Sequence, residues 1–328
     1  MSQQKTILVV TIDTEEDNWG QYRSGITCHN IGEIPRLQTI FDSHGVIPTY
    51  LVTYQVCQRE EATRILSSIH NDGKCEIGAH LHPWNTPPET ESFTEHNSML
   101  KNLPAELQLA KLQTLSKKIE SEFGVKPRSF RAGRWGLGSE TVDALSACGF
   151  TVDTSVTPTM SWADEGNGPV YKETLKDPYY LSAMDKSKVD YKSILEISAT
   201  IGYNRWPFGF WNNVYSIAEK KALRPFRLLG ILNKTSILRK IWLSPEGMST
   251  RDMITLADLL IKHDAKVLNL SFHSNTLLPG KTPFVKTPEE ANEFYQRIDD
   301  VLKHLQASTH LLPLSLTEAA SEINAEDL

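Results

Sequence analysis

Long apolar runs are missing from this sequence. Nowhere do its 328 residues approach the ~20 consecutive apolar side chains that a membrane-spanning helix needs. Cysteine is scarce and unpatterned. Cys28, Cys57, Cys75 and Cys148 show no C-x-x-C spacing and no nearby histidine motif, so they read as reduced, mostly buried thiols. An excess of positive charge is also absent. Lys and Arg number 34 against 40 Asp and Glu, a net charge of −6, which argues against nucleic acid as a partner. The opening Met1-Ser2-Gln3-Gln4-Lys5 has neither a basic region followed by a long apolar one nor a small-residue cleavage site, so the expected location is cytoplasmic. Internal repeats and low-complexity tracts are lacking too.

What is present is an alternation of strand and helix patterns. Ile7-Leu8-Val9-Val10-Thr11-Ile12 is a continuous apolar run, as expected of a strand covered on both faces. Ile34, Leu37, Ile40 and Phe41 follow at helical spacing and stop at Gly45. Val46 to Val52 and Cys75 to His80 read as the next two strands, and a long helix is predicted from Pro104 to Gly124. Further strands are predicted at Ser129–Arg131, Thr151–Asp153, Leu195–Ala199, Ala265–Ser271 and His310–Ser315, with helices at 139–147, 250–263 and 288–306. Such an order implies an α/β fold, either a (β/α) barrel or a doubly wound sheet.

The chemistry-bearing residues fall where these strands end. His80 and His82 are two residues apart, and in an extended backbone such a pair shares one face. Two imidazoles on one face suit a metal ion. Asp13 and Glu15 repeat the spacing after the first strand. One carboxylate of such a pair binds a divalent cation and the other accepts a proton from a water that the cation acidifies. Arg131, in Phe130-Arg131-Ala132-Gly133-Arg134-Trp135-Gly136, suits the role of keeping a neighbouring carboxylate ionised, and the glycines there let backbone N–H groups approach an oxyanion. His273 ends a late strand. In a barrel all of these would lie on one rim.

The motifs T-x-D-x-E, E-I-G-x-H, F-R-x-G-R-W-G, D-T-S and S-F-H-S, in that order from about Ile7 to Leu316, resemble the polysaccharide deacetylase family (carbohydrate esterase family 4, NodB homology). The resemblance implies a distorted (β/α) barrel and a metal-dependent hydrolase that removes N-acetyl groups from an amino sugar in a glycan or glycan precursor. It further implies Asp13 as catalytic base, Glu15 and His80 as metal ligands, Arg131 as the residue holding the base, the backbone N–H of Arg134 as oxyanion donor, His273 as general acid and Asp153 in a supporting position. The family's second histidine ligand lies four residues after the first, where this chain has Trp84. His82 is therefore the expected third ligand. Zn2+ is the expected ion, with Ni, Co and Fe as alternatives. Two other functions remain open: hydrolysis of a different C–N amide, such as a formamide or cyclic ureide, and carbohydrate binding without catalysis.

One segment departs from the pattern. Residues 205–245 hold eight basic residues (Arg205, Lys220, Lys221, Arg224, Arg227, Lys234, Arg239, Lys240) against Glu219 alone, interleaved with Trp206, Phe208, Phe210, Trp211, Tyr215, Phe226 and Trp242. This reads as a basic-aromatic insertion, at about 160–248, in a single catalytic domain spanning 1–328. Its chemistry suits an anionic membrane surface or a lipid-linked glycan, and the competing expectation is a packed cap over the site.

Overall fold

A computed structural model describes residues 5–18, 25–175, 177–181, 194–219, 230, 232, 235 and 237–326. The apolar run at Ile7–Ile12 lies inside β1 (Lys5–Thr14), which is buried from Thr6 to its end. Around it are α1 (Ile34–His44), β2 (Thr49–Val52), α2 (Glu60–Asn71), β3 (Glu76–Leu81), α3 (Ala105–Phe123), β4 (Ser129–Ala132), α4 (Ser139–Cys148) and β5 (Val152–Asp153). Then come β6 (Tyr179–Leu181), β7 (Ile194–Glu196), β8 (Ile201–Tyr203), α5 (Phe208–Glu219), β9 (Lys240–Trp242), α6 (Thr250–Lys262), β10 (Val267–His273), α7 (Pro288–Ser308), β11 (His310–Pro313) and α8 (Leu316–Glu326). The main sheet runs β10-β1-β2-β3-β4-β5-β7-β6, with β11 also on β1, and every pairing but β6–β7 is parallel. It curls into a half-barrel.

Helix ends obey local chemistry. Gly124 closes α3 with φ of 71°, a left-handed conformation that costs a glycine little. α7 starts with a capping box, in which Thr287 and Glu290 satisfy each other's backbone N–H groups, and has Pro288 in its first turn.

Alternation along the strands sets the two faces of the sheet. Leu8, Val10 and Ile12 join the core under the outer helices, together with Ile77, Ala79, Phe130, Leu268 and Phe272. On α7, Phe294, Ile298, Leu302 and Leu305 recur at helical spacing in that core, each worth about 1.5–3 kcal/mol of apolar burial. Ile7 and Val9 point the other way, to a smaller cluster with Leu51, Val152, Leu195 and, from α8, Leu316, Ala319 and Ile323. That helix plugs the concave face at the strands' N-terminal ends. Further along the same face the residue type changes, and the next side chains of β1 in that series are Thr11 and Asp13.

β7 and β6 fall within residues 160–248 yet belong to the main sheet, so part of the segment read as an insertion is integral to the fold. β8 and β9 form a separate antiparallel pair, with α5 between them in sequence. Lys220, Lys221, Arg224, Phe226, Arg227 and Lys234 lie outside the described residues. No described helix is long and apolar enough to cross a membrane. Cys57, Cys75 and Cys148 are buried and Cys28 partly so, all four free thiols, and burial raises the pKa of each.

Candidate active site

Strand register brings the expected residues together. Asp13 of β1 sits beside His273 of β10, and His80 of β3 beside Arg131 of β4. Arg131 is the largest fully buried side chain, at 1% exposure, so its charge must be answered inside the protein. Its Nη1 donates to Asp13 Oδ1 at 2.7 Å, its Nη2 to Thr11 Oγ1 at 2.7 Å, and its Nε to the Thr154 carbonyl at 3.0 Å. Burial pushes the Asp13 carboxyl up, but the charge of Arg131, then those of His80 and His273, more than reverse this and hold it below the usual carboxylate range. Asp13 Oδ2 is left facing His273 Nε2 at 3.6 Å and His80 Nε2 at 3.9 Å.

Of the acidic run Asp13-Thr14-Glu15-Glu16-Asp17, only Asp13 and Glu15 address the histidines. Glu16 accepts from Asn85 and Thr53, while Asp17 accepts from Thr27, His29 and Asn30 and so pins the following loop. Glu15 Oε2 lies 2.9 Å from His82 Nε2 and 3.7 Å from His80 Nε2, and its Oε1 accepts from Asn275 Nδ2 at 3.0 Å. Burial opposes ionisation of Glu15, yet hydrogen bonds from the two histidines lower its pKa far below the usual range.

The donor set fits a divalent cation. Glu15, His80 and His82 each offer a ligand atom, all within 4.8 Å of one another, and all three residues are buried. His80 Nδ1 donates to the Arg131 carbonyl at 3.0 Å, which fixes the ring and turns Nε2 toward Glu15. Two imidazoles and one carboxylate are donors of the kind that first-row divalent ions take. His82 is seated by its surroundings. Trp84 packs on the ring with centroids 4.2 Å apart, and Gly133 lies so close that a Cβ there would stand 2.3 Å from His82 Nδ1. The position four residues after His80 is thus a wall of the His82 site.

Two further expected residues, Asp153 and Arg134, flank the donor set. Asp153 is the register partner of Phe130 and of Glu196, so alternation puts it on the helix-packed face, away from Asp13. It accepts hydrogen bonds from Ser155 N and Oγ, and Ser155 Oγ accepts from Ala132 N at the entrance to the Gly133–Arg134 turn. Asp153 therefore supports the site through Ser155 and through the charge of Arg131. Arg134 lines the cavity, and its left-handed φ of 53° is followed by φ of 59° at Trp135. Its side chain points to the rim, where it donates to Ser98 Oγ at 2.5 Å and pairs with Glu165 at 3.3 Å.

Glu246 has no counterpart in the sequence reading. Its Oε2 lies 2.9 Å from His273 Nδ1, and its Oε1 accepts from the His273 backbone N–H at 3.1 Å. Burial draws the His273 pKa down, but the charge and hydrogen bond of Glu246, helped by Glu15 and Asp13, raise it to about 10. Nothing in the pattern around Pro245-Glu246-Gly247 distinguishes this acid from an ordinary turn residue. Above the centre lies a cavity of about 400 Å³, whose walls include Trp84, Trp135, Trp162 and Trp242.

No family model matches the chain, and no curated protein does. Solved structures do share its fold. A Mycobacterium smegmatis protein assigned as a polysaccharide deacetylase superposes with a TM-score of 0.59 at 15% identity, covering 100% of this chain and 93% of its own. A 4-alpha-glucanotransferase from Thermococcus litoralis gives 0.52 at 11% identity, with 98% of this chain covering 40% of that one. A family 4 acetyl xylan esterase from Clostridium thermocellum, solved with a cobalt ion, gives 0.46 at 10% identity over 96% of this chain and 91% of its own. By its likeness to the Mycobacterium smegmatis structure, the half-barrel is of the polysaccharide deacetylase type.

Proposed function

We propose that this chain is a divalent-metal-dependent amidohydrolase that removes an N-acetyl group from an amino sugar, with residues 1–328 forming one catalytic domain. The observation that carries the reading is the placement of Asp13, held by Arg131, between His273 on one side and the Glu15–His80–His82 donor set on the other. A divalent cation held by those three residues, zinc by preference, would polarise the acyl oxygen and acidify water.

The chain's own groups supply the rest. Asp13 is ionised and presents Oδ2, the oxygen not bonded by Arg131, so it accepts the proton of the attacking water. The backbone N–H of Arg134, in a left-handed turn beside the site, is assigned to the developing oxyanion. His273 carries a proton at neutral pH and gives it to the departing nitrogen as the C–N bond breaks, releasing acetate and a free amine. Glu246 holds that imidazolium in place. Replacing Asp13 by Asn with the metal retained should lower acetate release by ~100-fold or more; unchanged turnover removes Asp13 from the mechanism.

The same reading includes peripheral contact with an anionic membrane or lipid-linked glycan through 205–245. Exposed Trp206, Phe210, Ile217 and Ile237 beside exposed Arg205 support it. Binding to anionic vesicles that weakens with salt is the expected result, and equal binding to neutral vesicles counts against it.

A further inference from the structure

The cavity has features that its metal-donor floor does not require. Trp135 and Trp242 pack against each other at a tilt of 51° with centroids 5.2 Å apart, and Trp242 is fixed by donating to Ser271 Oγ at 3.0 Å. Trp162 is fixed by donating to Thr157 Oγ1 at 2.9 Å. Flat indole faces suit the apolar C–H face of a sugar ring. The volume of about 400 Å³ is near the lower end of ordinary ligand sites and suits one or two rings.

Trp162 rides on a turn that is clamped down. Its N–H bonds the Pro169 carbonyl at 2.9 Å, and its own carbonyl accepts from Gly168. Lys101 Nζ donates to the Asn167 carbonyl at 2.9 Å, Asn102 Nδ2 to that of Gly166 at 2.7 Å, and Arg134 pairs with Glu165. Gly166 lies so near the Glu95 carbonyl that a Cβ would come within 2.2 Å of it. The wall is therefore built in place, and a long chain crossing the site would have to displace it.

Charge narrows the occupant further. The described lining contains Asp13, Glu15, Glu16, Glu165 and Glu246, whereas its arginines, Arg131 and Arg134, are both already paired with carboxylates. The positive charge of the floor, on His273 and on the cation it would hold, is engaged by Asp13, Glu15 and Glu246, so a second anion on the sugar would fall at the rim and compete there with Glu165 for Arg134.

Resting on the reading of the site as an N-deacetylase, we propose that its substrate is a compact, uncharged N-acyl amino sugar presented end-on, and that Trp162 excludes internal units of a long polymer. The zinc-loaded protein is to be titrated with N-acetylglucosamine, its β-1,4-linked dimer and tetramer, and N-acetylglucosamine 6-phosphate, following both indole fluorescence and acetate release. The monomer or dimer should bind about tenfold tighter than the tetramer or the phosphate, the scale of one lost ring contact. Trp162→Ala should narrow the tetramer gap, and Trp162→Phe, which keeps a flat wall, should preserve it. Tighter binding of the tetramer or of the phosphate overturns the proposal. The expected order of binding without acetate release supports the size and charge selection and overturns the hydrolytic reading alone. Absence of binding by all four sugars overturns both.

Discussion

His273 Nδ1 lies 2.9 Å from Oε2 of Glu246, a residue carried on a loop 27 positions earlier in the chain. His273 is half-buried beside Asp13 and Glu15, and this carboxylate contributes most to holding its imidazolium.

Glu246→Gln should bring the His273 pKa down from about 10 toward its ordinary value, because the opposing charge is removed while burial remains. A general acid works only below its pKa, so the alkaline limb of the kcat/KM profile should move to lower pH. Histidine proton titration by NMR in the metal-free protein checks the same shift without relying on turnover. An unmoved titration would falsify the assignment of Glu246 as the group that keeps His273 charged.

Wild-type protein should copurify with, or take up, one divalent ion per chain, measured by elemental analysis. His80→Ala, His82→Ala and Glu15→Ala should each weaken binding by more than the ~10–100-fold typical of an outer-shell change. Retention of full affinity by His82→Ala would mean that the third ligand lies elsewhere.

Gly133→Ala probes the seat of His82. The added methyl would stand 2.3 Å from the imidazole Nδ1 and 2.7 Å from the Leu81 carbonyl, so ring or backbone must move. A loss of about 1–3 kcal/mol in denaturant unfolding is expected, with weaker metal binding. A variant as stable as wild type with unchanged affinity is incompatible with this packing.

Asp153 and Glu196, both fully buried register partners, should make stability pH-dependent. Burial, then the Asp153 charge, raises Glu196 well above 4.5, so Glu196 keeps its proton when folded. The stability this contributes is complete below about pH 4.5 and declines as pH rises toward the folded pKa. Glu196→Gln mimics the protonated acid. Its melting temperature should match wild type at pH 4 and exceed it at pH 8; a deficit at pH 8 would show that the pair is ionised and supported in another way.

The strands bearing Asp13, His80, Arg131 and His273 could be read from sequence because each is a short apolar run with an abrupt polar end. The i, i+2 spacing then fixed the shared face of His80 and His82 as well as of Asp13 and Glu15. Glu246 and Trp162 carried no such signal, since loop residues have no period to betray their direction. The motif of Asp153 gave its supporting position in the chain but not the face of the sheet it would occupy, because sheet parity is not written in a short motif. β6, β8 and β9, at three residues each, are too short for any periodic pattern.

The β1–β10 register has a consequence for how the chain acquires its chemistry. Glu15, His80 and His82 all belong to the first three strands and the residues just beyond them, whereas His273 arrives on the tenth. A nascent chain therefore possesses all three candidate metal donors long before it possesses the proposed acid. Even then Glu15 is oriented by Ser274 and Asn275, from the segment that follows β10. Contacts of such long sequence separation form late in folding. Tight metal capture should therefore mark completion of the sheet.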